Sequence, residues 1–387
     1  MIKLSEKISQ IPASDTLKIN SRVKLLRSQG EHIIDFGVGE PDFDTPNYIK
    51  RAGIKAIKEG YTKYSPAAGY PDLINAIIYK LKRDNNLDYS QNNVLVSCGA
   101  KHTLTNVMQT ILNKDDEVLI PSPYWLSYPE QVKLTGAKPV FVNCEKDQIE
   151  IEELNNKLTD KTKLLILNTP NNPTGAVIEK EKLKQISEFC IKNNILVISD
   201  EVYEKFIYEK EHISIASLGE EIKNLTITVN SISKTYSMTG WRIGYCAGPE
   251  YIIKAATNLQ SHTTSAPSSV SQKAAVVALS DPEKFLKNKI RGYKKKRNYI
   301  LKILNKIANI KYIKPDGAFY IFPDISSFFN REVDSSVTFA EKLLEKTKVA
   351  VIPGRSFGNN KNIRISYSSP MKDIEEGMRR IEEYLKL

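Results

Sequence analysis

The sequence lacks the features that mark several classes of protein. Its four cysteines are far apart and form no Cys-x-x-Cys pair, which argues against a zinc site or a redox dithiol. No apolar run reaches the length of about 18 residues that a membrane-spanning helix requires. No Gly-x-Gly-x-x-Gly motif follows a strand pattern, which argues against a nucleotide-binding dehydrogenase. The histidines form no cluster, and we assign none of them to catalysis or to a metal: His32, His102, His212 and His262.

Positive charge is in excess, but its distribution does not indicate a nucleic-acid surface. The net charge is +11 over 387 residues, and the lysines are interleaved with Glu and Asp, as on solvated helix faces. Residues 1–7 lack the apolar core of a signal peptide. We expect the cysteines to stay reduced, which is typical of the cytosol. The sequence therefore predicts a cytoplasmic protein of two domains, with no nucleic-acid and no membrane partner.

Short apolar runs alternate with longer amphipathic runs in the middle of the chain. Continuous apolar strands separated by helices predict a mostly parallel sheet that is covered on both faces. Helices are expected from about residue 100 and over 179–193. The predicted strands are 93–97, 116–121, 163–168, 195–200 and 225–230. Ligands of such sheets bind beyond the carboxyl ends of the strands, where the sequence has Ser97, Asn168, Asp200 and Ser231.

The last hundred residues have a different pattern. A long charged helical region covers about 281–308, and a final helix follows the cap Ser369-Pro370. Three further strands are predicted between them, at 318–323, 349–353 and 362–367. This arrangement predicts a separate α+β unit.

One segment, residues 231–245, places Lys234 among small hydroxyl residues, with Arg242 eight positions later. A lysine amine can condense with an aldehyde. The hydroxyls of Ser231 and Ser233, together with the arginine fork, can bind a phosphate. Pyridoxal phosphate (PLP) carries both groups on one ring. Alternatively, the lysine is a solvated loop charge and Arg242 forms a surface ion pair.

Other polar residues suit the same cofactor. Asp200 at a strand end can keep a pyridine nitrogen protonated, and Tyr203 can bond a phenolic oxygen. Small residues at Gly99 and Ala100 let backbone N–H groups approach a phosphate at a helix N-terminus. Trp125 can cover the ring. Alternatively, Asp200 caps a helix or turn at the strand end, and Trp125 is an ordinary aromatic residue of the core.

Arg364 lies inside the apolar alternating strand 362–367, where a charge needs a partner. An amino acid's α-carboxylate, bound bidentately, would serve. A buried structural ion pair is the alternative.

Four motifs of this sequence resemble those of class I aminotransferases of PLP fold type I. They are S-x-S-K-x-x-x-M-T-G-W-R-x-G-Y at 231–245, N-x-P-x-N-P-T-G at 168–175, D-E-x-Y at 200–203 and G-E-P-D-F at 39–43. The resemblance runs from about residue 10 to the C-terminus and is greatest to the bacterial aspartate and aspartate/prephenate subgroup. It implies a large domain (45–285) containing a mostly parallel seven-stranded sheet between helices. It also implies a smaller α+β domain formed by residues 1–44 and 286–387.

The resemblance also implies functions for individual residues. Lys234 binds PLP and acts as general base, and Asn172 contacts the cofactor and the substrate carboxylate. Gly39 offers its backbone to that carboxylate, which Arg364 binds. Tyr64 reaches the phosphate of the neighbouring subunit, so the protein is expected to be a homodimer.

The implied reaction moves the amino group of L-aspartate to 2-oxoglutarate, and prephenate is a further candidate substrate. Lys101, which also lies in the phosphate loop, and Thr16 match the residues that contact the distal carboxylate. Asp15 departs from the family pattern beside Thr16. An aromatic or broad-specificity aminotransferase and a C–S β-lyase stay open as alternatives.

Overall fold

The computed structural model describes residues 5–9, 11, 15–145, 148–280 and 283–386. Its α-helices are α1 Glu6–Ser9, α2 Asp15–Ser28, α3 Asn47–Lys58, α4 Pro71–Asn85, α5 Ala100–Ile111, α6 Ser127–Thr135, α7 Ile151–Lys157, α8 Lys180–Lys192, α9 Glu220–Lys223, α10 Glu250–Ser261, α11 Ser269–Ser280, α12 Glu283–Leu304, α13 Ser336–Thr347 and α14 Met371–Leu385. No helix of these ranges is both long enough and apolar enough to cross a membrane.

The strands confirm the alternation that the sequence predicts. They are β1 Ile34–Asp35, β2 Val94–Ser97, β3 Glu117–Ser122, β4 Lys138–Glu145, β5 Gln148–Ile149, β6 Thr162–Asn168, β7 Leu196–Asp200, β8 Thr226–Ser231, β9 Gly244–Ala247, β10 Tyr320–Ile321, β11 Val349–Ala350, β12 Ile352–Pro353 and β13 Ile363–Ser366. Short 3-10 helices lie at Gln91–Asn93, Ile215–Leu218, Thr239–Trp241, Ser326–Phe328 and Gly354–Phe357.

A large sheet with the strand order β2-β9-β8-β7-β6-β3-β4-β5 forms the centre of the molecule. Its neighbouring strands are parallel except at β9, which runs antiparallel to β2 and β8, and at the two-residue edge strand β5. The predicted mostly parallel sheet is thus confirmed, with β5 added at one edge to the seven main strands. Strand β8 is buried at every residue, and it combines the apolar Ile227 and Val229 with small polar side chains.

Helices cover both faces of this sheet. On one side, Leu104 and Val107 of α5 pack with Ile252 of α10. On the other side, Leu183 and Ile186 of α8 pack in a second apolar cluster with strands β6 and β7. Crossover connections between successive strands make them parallel, and β9 runs antiparallel to both β2 and β8, so the carboxyl ends of β2, β6, β7 and β8 lie at one edge.

The C-terminal segment forms the predicted α+β arrangement around a three-stranded antiparallel sheet, β10-β13-β12. The N-terminal segment joins it, because β1 pairs in parallel with β11. Ile19 and Val23 of α2 also pack in one core cluster with Ile300 of α12 and Ile374 of α14. The two ends of the chain therefore share a core, while the boundaries at 45 and 285 stay a prediction.

Candidate active site

A cavity of about 490 Å³ opens at the edge where the strands of the large sheet end. Twelve residues that the sequence predicted for the site line it: Gly39, Ala100, Lys101, Trp125, Asn172, Asp200, Tyr203, Ser231, Ser233, Lys234, Arg242 and Arg364. These residues come from both ends and the middle of the chain, so folding alone brings them together.

Three other residues that the sequence predicted for the site are not among those that line the cavity. Gly99 is beside the cavity, and its φ of +89° strains any residue with a Cβ; an added Cβ would also lie 2.3 Å from Nη2 of Arg242 and displace that guanidinium. Tyr64 is 93% exposed and lies away from the cavity of its own chain. Thr16 belongs to α2, but its side chain is outside the described part of the structure.

Lys234 lies in the cavity and donates a hydrogen bond to the Gly39 carbonyl oxygen at 2.5 Å. Burial lowers the pKa of its amine to about 8; the positive charges of Arg364 and Arg242 lower it too, whereas the carboxylates of Glu40 and Asp200 oppose the shift. An appreciable fraction of this amine is therefore unprotonated near neutral pH. This is the form that reacts with a carbonyl group.

Asp200 is buried at the end of β7, and its Oδ2 accepts a hydrogen bond from the Tyr128 hydroxyl at 2.7 Å. Burial raises the pKa of this carboxyl to about 6, although the Tyr128 hydrogen bond opposes the shift. Tyr128 was not predicted from the sequence. Trp125, three residues earlier, lies before α6 begins at Ser127, so no helical spacing links the two residues, and the contact of Tyr128 with Asp200 arises only in the folded chain.

Tyr203 forms a hydrogen bond with a second tyrosine that the sequence analysis missed. The hydroxyl oxygens of Tyr203 and Tyr320 are 2.7 Å apart, and both side chains are buried. A Cβ on Gly39 would lie 2.8 Å from the Tyr320 hydroxyl oxygen, so this glycine is required for the close approach. Tyr320 comes from β10, and only the tertiary fold brings it to Tyr203 in the turn that follows β7.

Arg364 points from β13 into the cavity and is 5% exposed. Its Nη1 donates to Oδ1 of Asn172 at 3.0 Å and its Nη2 to the Gly37 carbonyl oxygen at 2.7 Å. Its Nε is buried without a partner among the described residues, and no described carboxylate lies within ion-pair distance. The structure therefore does not support the alternative of a structural ion pair, and the guanidinium is suited to bind an anion from the cavity.

Asn172 is oriented by the turn that precedes it. Oδ1 of Asn168 accepts a hydrogen bond from the Asn172 backbone N–H at 2.9 Å, and Nδ2 of Asn168 donates to the Asp200 carbonyl oxygen at 3.0 Å. Asn171 caps the same turn by accepting a hydrogen bond from the Thr174 backbone N–H at 3.1 Å. Asn168 thus joins the turn to β7, and Asn171 stabilises the turn itself.

A group of hydrogen-bond donors lies at the N-terminus of α5. Its first backbone N–H groups have no partner within the helix, and Ser231, Ser233 and Arg242 line the same cavity. The guanidinium of Arg242 is anchored there by donating to the carbonyl oxygens of Thr239 at 2.7 Å and Cys98 at 3.2 Å. A phosphate would find suitable donors here: the N-terminus of α5, the two serine hydroxyls and the Arg242 guanidinium.

Lys101 lies in the first turn of α5 with its Nζ 5.0 Å from the ring centre of Trp125. Burial and the neighbouring Arg242 lower the pKa of its amine.

The groups that line the cavity together fit PLP. A phosphate site, an aromatic side chain, a buried carboxyl for a ring nitrogen and a reactive amine occur in one cavity.

Comparison with known proteins agrees with this geometry. The profile of the family described as "Aminotransferase class I and II" matches residues 31–381. An aspartate aminotransferase from Bacillus sp. (strain YM-2) is 46% identical over 388 residues, which cover 99% of each chain. A probable aspartate/prephenate aminotransferase from Aquifex aeolicus (strain VF5) is 44% identical and covers 99% of this chain and 98% of its own.

Solved structures show the same fold. The aspartate aminotransferase from Rhizobium meliloti matches with a TM-score of 0.95 and 37% identity, covering 100% of this chain and 99% of its own. The aspartate aminotransferase from Thermus thermophilus, solved with maleate, matches with a TM-score of 0.94 and 36% identity, covering 99% of this chain and 100% of its own. This chain therefore belongs to the class I and II aminotransferases, a PLP-dependent family.

Proposed function

We propose that this protein is an aspartate aminotransferase that moves the amino group of L-aspartate to 2-oxoglutarate, giving oxaloacetate and L-glutamate. The observation that carries this proposal is the composition of one cavity. It combines Lys234, whose pKa is about 8, with the buried carboxyl of Asp200 and the guanidinium of Arg364.

When bound, PLP supplies an aldehyde carbon and an electron-withdrawing ring. The residues of the chain provide the rest. Lys234 Nζ removes the proton from the substrate Cα, which requires its lowered pKa. Asp200 keeps a proton on the ring nitrogen, and the Tyr203 hydroxyl and the Asn172 amide orient the ring oxygen. Arg364 binds the α-carboxylate and so fixes the Cα–H bond toward the amine.

The preference for a dicarboxylic substrate depends on a second cation. Lys101 lines the cavity that also contains Arg364, so a substrate with two carboxylates can pair each with a cation. Relatives named as aspartate aminotransferases and a Thermus thermophilus structure solved with maleate, a dicarboxylate, support this proposal. The relative named for prephenate makes that dicarboxylate the second substrate to test. Thr16 is proposed to assist Lys101.

We also propose a homodimer in which Tyr64 contributes to the neighbouring active site. Its 93% exposure is unusual for a large aromatic side chain and is consistent with a partner surface.

We further propose two domains, one formed by residues 45–285 and the other by residues 1–44 together with 286–387. The pairing of β1 with β11, which joins the two ends of the chain, supports this division. Four cysteines that lie far apart in the sequence and form no Cys-x-x-Cys pair support a cytoplasmic location.

A substrate comparison tests the proposed reaction. The purified protein with PLP is assayed for oxaloacetate formed from aspartate and 2-oxoglutarate, for amino transfer from tyrosine, and for pyruvate released from cystathionine. We expect aspartate to be the best donor and the kinetics to be ping-pong, with parallel double-reciprocal lines. Faster turnover of tyrosine would favour an aromatic aminotransferase, and pyruvate release without amino transfer would favour a C–S β-lyase.

A further inference from the structure

A second carboxylate lies directly behind the wall that carries Asp200. Glu201 is fully buried and does not line the cavity. Its Oε1 accepts hydrogen bonds from the hydroxyls of Ser199 at 2.8 Å and Ser214 at 2.7 Å. Its Oε2 lies 3.1 Å from Nε2 of His212 and accepts a hydrogen bond from Nδ2 of Asn85 at 3.2 Å. Four side chains from three parts of the fold therefore hold this carboxylate in one position.

The positive charge in this region belongs to another residue. Lys80 contacts the carboxylate of Glu204, and its Nζ donates to Oδ1 of Asn85 at 2.7 Å. Glu201, Glu204 and His212 are close enough to bind a metal ion together. However, an ion there would lie beside the Lys80 ammonium group, so we interpret the cluster as a hydrogen-bond network, in which Nδ1 of His212 has no partner among the described residues. Within the described ranges, no lysine or arginine pairs directly with Glu201.

The backbone connects Glu201 to the active site. Its N–H donates to the Val229 carbonyl oxygen of β8 at 2.9 Å, and its own carbonyl oxygen accepts from the Glu204 N–H at 2.9 Å. Asp200 and Tyr203, one residue before and two after, both line the cavity. The hydrogen bonds that fix the Glu201 side chain, on the side of the turn away from the cavity, therefore restrict the backbone of this turn. The same backbone orients Asp200 and Tyr203 toward the cavity. The negative charge of Glu201 also favours the protonated form of Asp200 and raises its pKa.

We propose that Glu201 is a positioning residue: its buried carboxylate fixes the turn that aims Asp200 and Tyr203 into the cavity, and its charge strengthens the binding of a cationic ring nitrogen at Asp200. This inference rests on the proposed function in one respect, namely that PLP is the bound ring. It assigns a role to a glutamate that touches neither cofactor nor substrate.

The test uses the full-length protein and three substitutions. Glu201→Gln removes the charge and keeps the shape, Ser214→Ala removes one hydrogen bond to it, and Ser217→Ala is the matched control. Ser217 lies in the 3-10 helix that begins directly after Ser214; its hydroxyl donates to the Ser214 carbonyl oxygen at 2.7 Å and does not bond Glu201. Two quantities are measured: the dissociation constant of PLP, and the pH midpoint of the bound cofactor's absorbance change.

The charged and titratable groups that face Glu201 must be considered when the midpoint is interpreted. They are Asp200, Glu204, Lys80, His212, Tyr89 and Tyr245. All six are unchanged in the three variants, so a difference between variants and wild type reports on Glu201 itself.

For Glu201→Gln we expect the PLP dissociation constant to rise about tenfold. The pH midpoint should fall by about half a unit, because one negative charge is lost near a cationic site. Ser214→Ala should weaken PLP binding about threefold, while Ser217→Ala should bind PLP as the wild type does.

Wild-type affinity and an unchanged midpoint in Glu201→Gln, even with a lowered melting temperature, would overturn the proposal. If Glu201→Gln does not fold, Ser214→Ala decides: weaker PLP binding supports the proposal, and unchanged binding overturns it. A wild-type protein that does not bind PLP would overturn the proposed function, and this inference with it.

Discussion

Replacing Lys234 by methionine is expected to stabilise the cofactor-free protein at pH 7. Burial lowers the pKa of this amine from the ordinary 10.5 to about 8. At about 1.4 kcal/mol per unit, the protonated amine destabilises the folded state by about 3 kcal/mol. The substitution also removes the hydrogen bond to the Gly39 carbonyl oxygen, which contributes about 1 kcal/mol. The expected net gain in the free energy of unfolding is about 2 kcal/mol.

The gain should depend on pH in a defined direction. The unfolded chain keeps the Lys234 proton up to about pH 10.5, whereas the folded chain releases it near pH 8. Between these values the unfolded state binds more protons, so the stability of the wild type rises with pH. At pH 9.5 the penalty falls to about 1 kcal/mol, and the advantage of Lys234→Met should nearly disappear.

Urea denaturation of both cofactor-free proteins at pH 7 and pH 9.5 measures this difference. Lys80→Met is the control, since Lys80 is also buried but contacts Glu204. Its loss should destabilise the protein by about 3 to 5 kcal/mol, because a buried carboxylate loses its cation. A Lys234→Met protein that is no more stable than wild type at pH 7, or whose advantage does not change with pH, would refute this reasoning.

Three further substitutions test the proposed substrate and subunit contacts. Arg364→Lys removes the bidentate contact with the substrate carboxylate and should lower kcat/KM for aspartate about 100-fold, or about 3 kcal/mol. The control is Arg83→Lys, because Arg83 forms an ion pair with Asp84 outside the cavity; it should change kcat/KM less than about twofold. Lys101→Ala should raise KM for aspartate about tenfold with little change for tyrosine, and equal effects on both donors would contradict its role with the distal carboxylate. Tyr64→Ala should weaken PLP binding. Mixing Tyr64→Ala chains with Lys234→Ala chains should restore activity, because one of the two sites in each mixed dimer then has both wild-type residues. No recovery of activity would argue against a shared site.

Much of the fold follows from local sequence pattern. The apolar runs before Ser97, Asn168, Asp200 and Ser231 predict strands, and the alternation with helices predicts a mostly parallel sheet. The strands observed at these positions differ from the predicted bounds by at most one residue at either end. The edge strand β5 has only two residues, which is too short to produce an alternation pattern.

The site could be predicted where a motif carries its chemistry and not where tertiary contacts create it. Lys234 lies in a sequence whose neighbours already indicate a phosphate and an aldehyde. Tyr128 and Tyr320 lie in segments that resemble ordinary core helix and strand, and their roles depend on hydroxyl contacts with Asp200 and Tyr203. His212 showed no partner pattern, because its contact with Glu201 arises only when a loop folds back on β7.

The proposed function depends above all on a covalent bond between Lys234 and PLP in the cavity at the edge of the sheet. The most direct measurement is the absorbance spectrum of the purified protein with PLP, followed by borohydride reduction and peptide mass mapping. We predict a spectrum distinct from that of free PLP, PLP fixed on Lys234 after reduction, and loss of both in Lys234→Ala. A spectrum equal to the sum of protein and free PLP, or PLP fixed equally well in Lys234→Ala, would contradict the account.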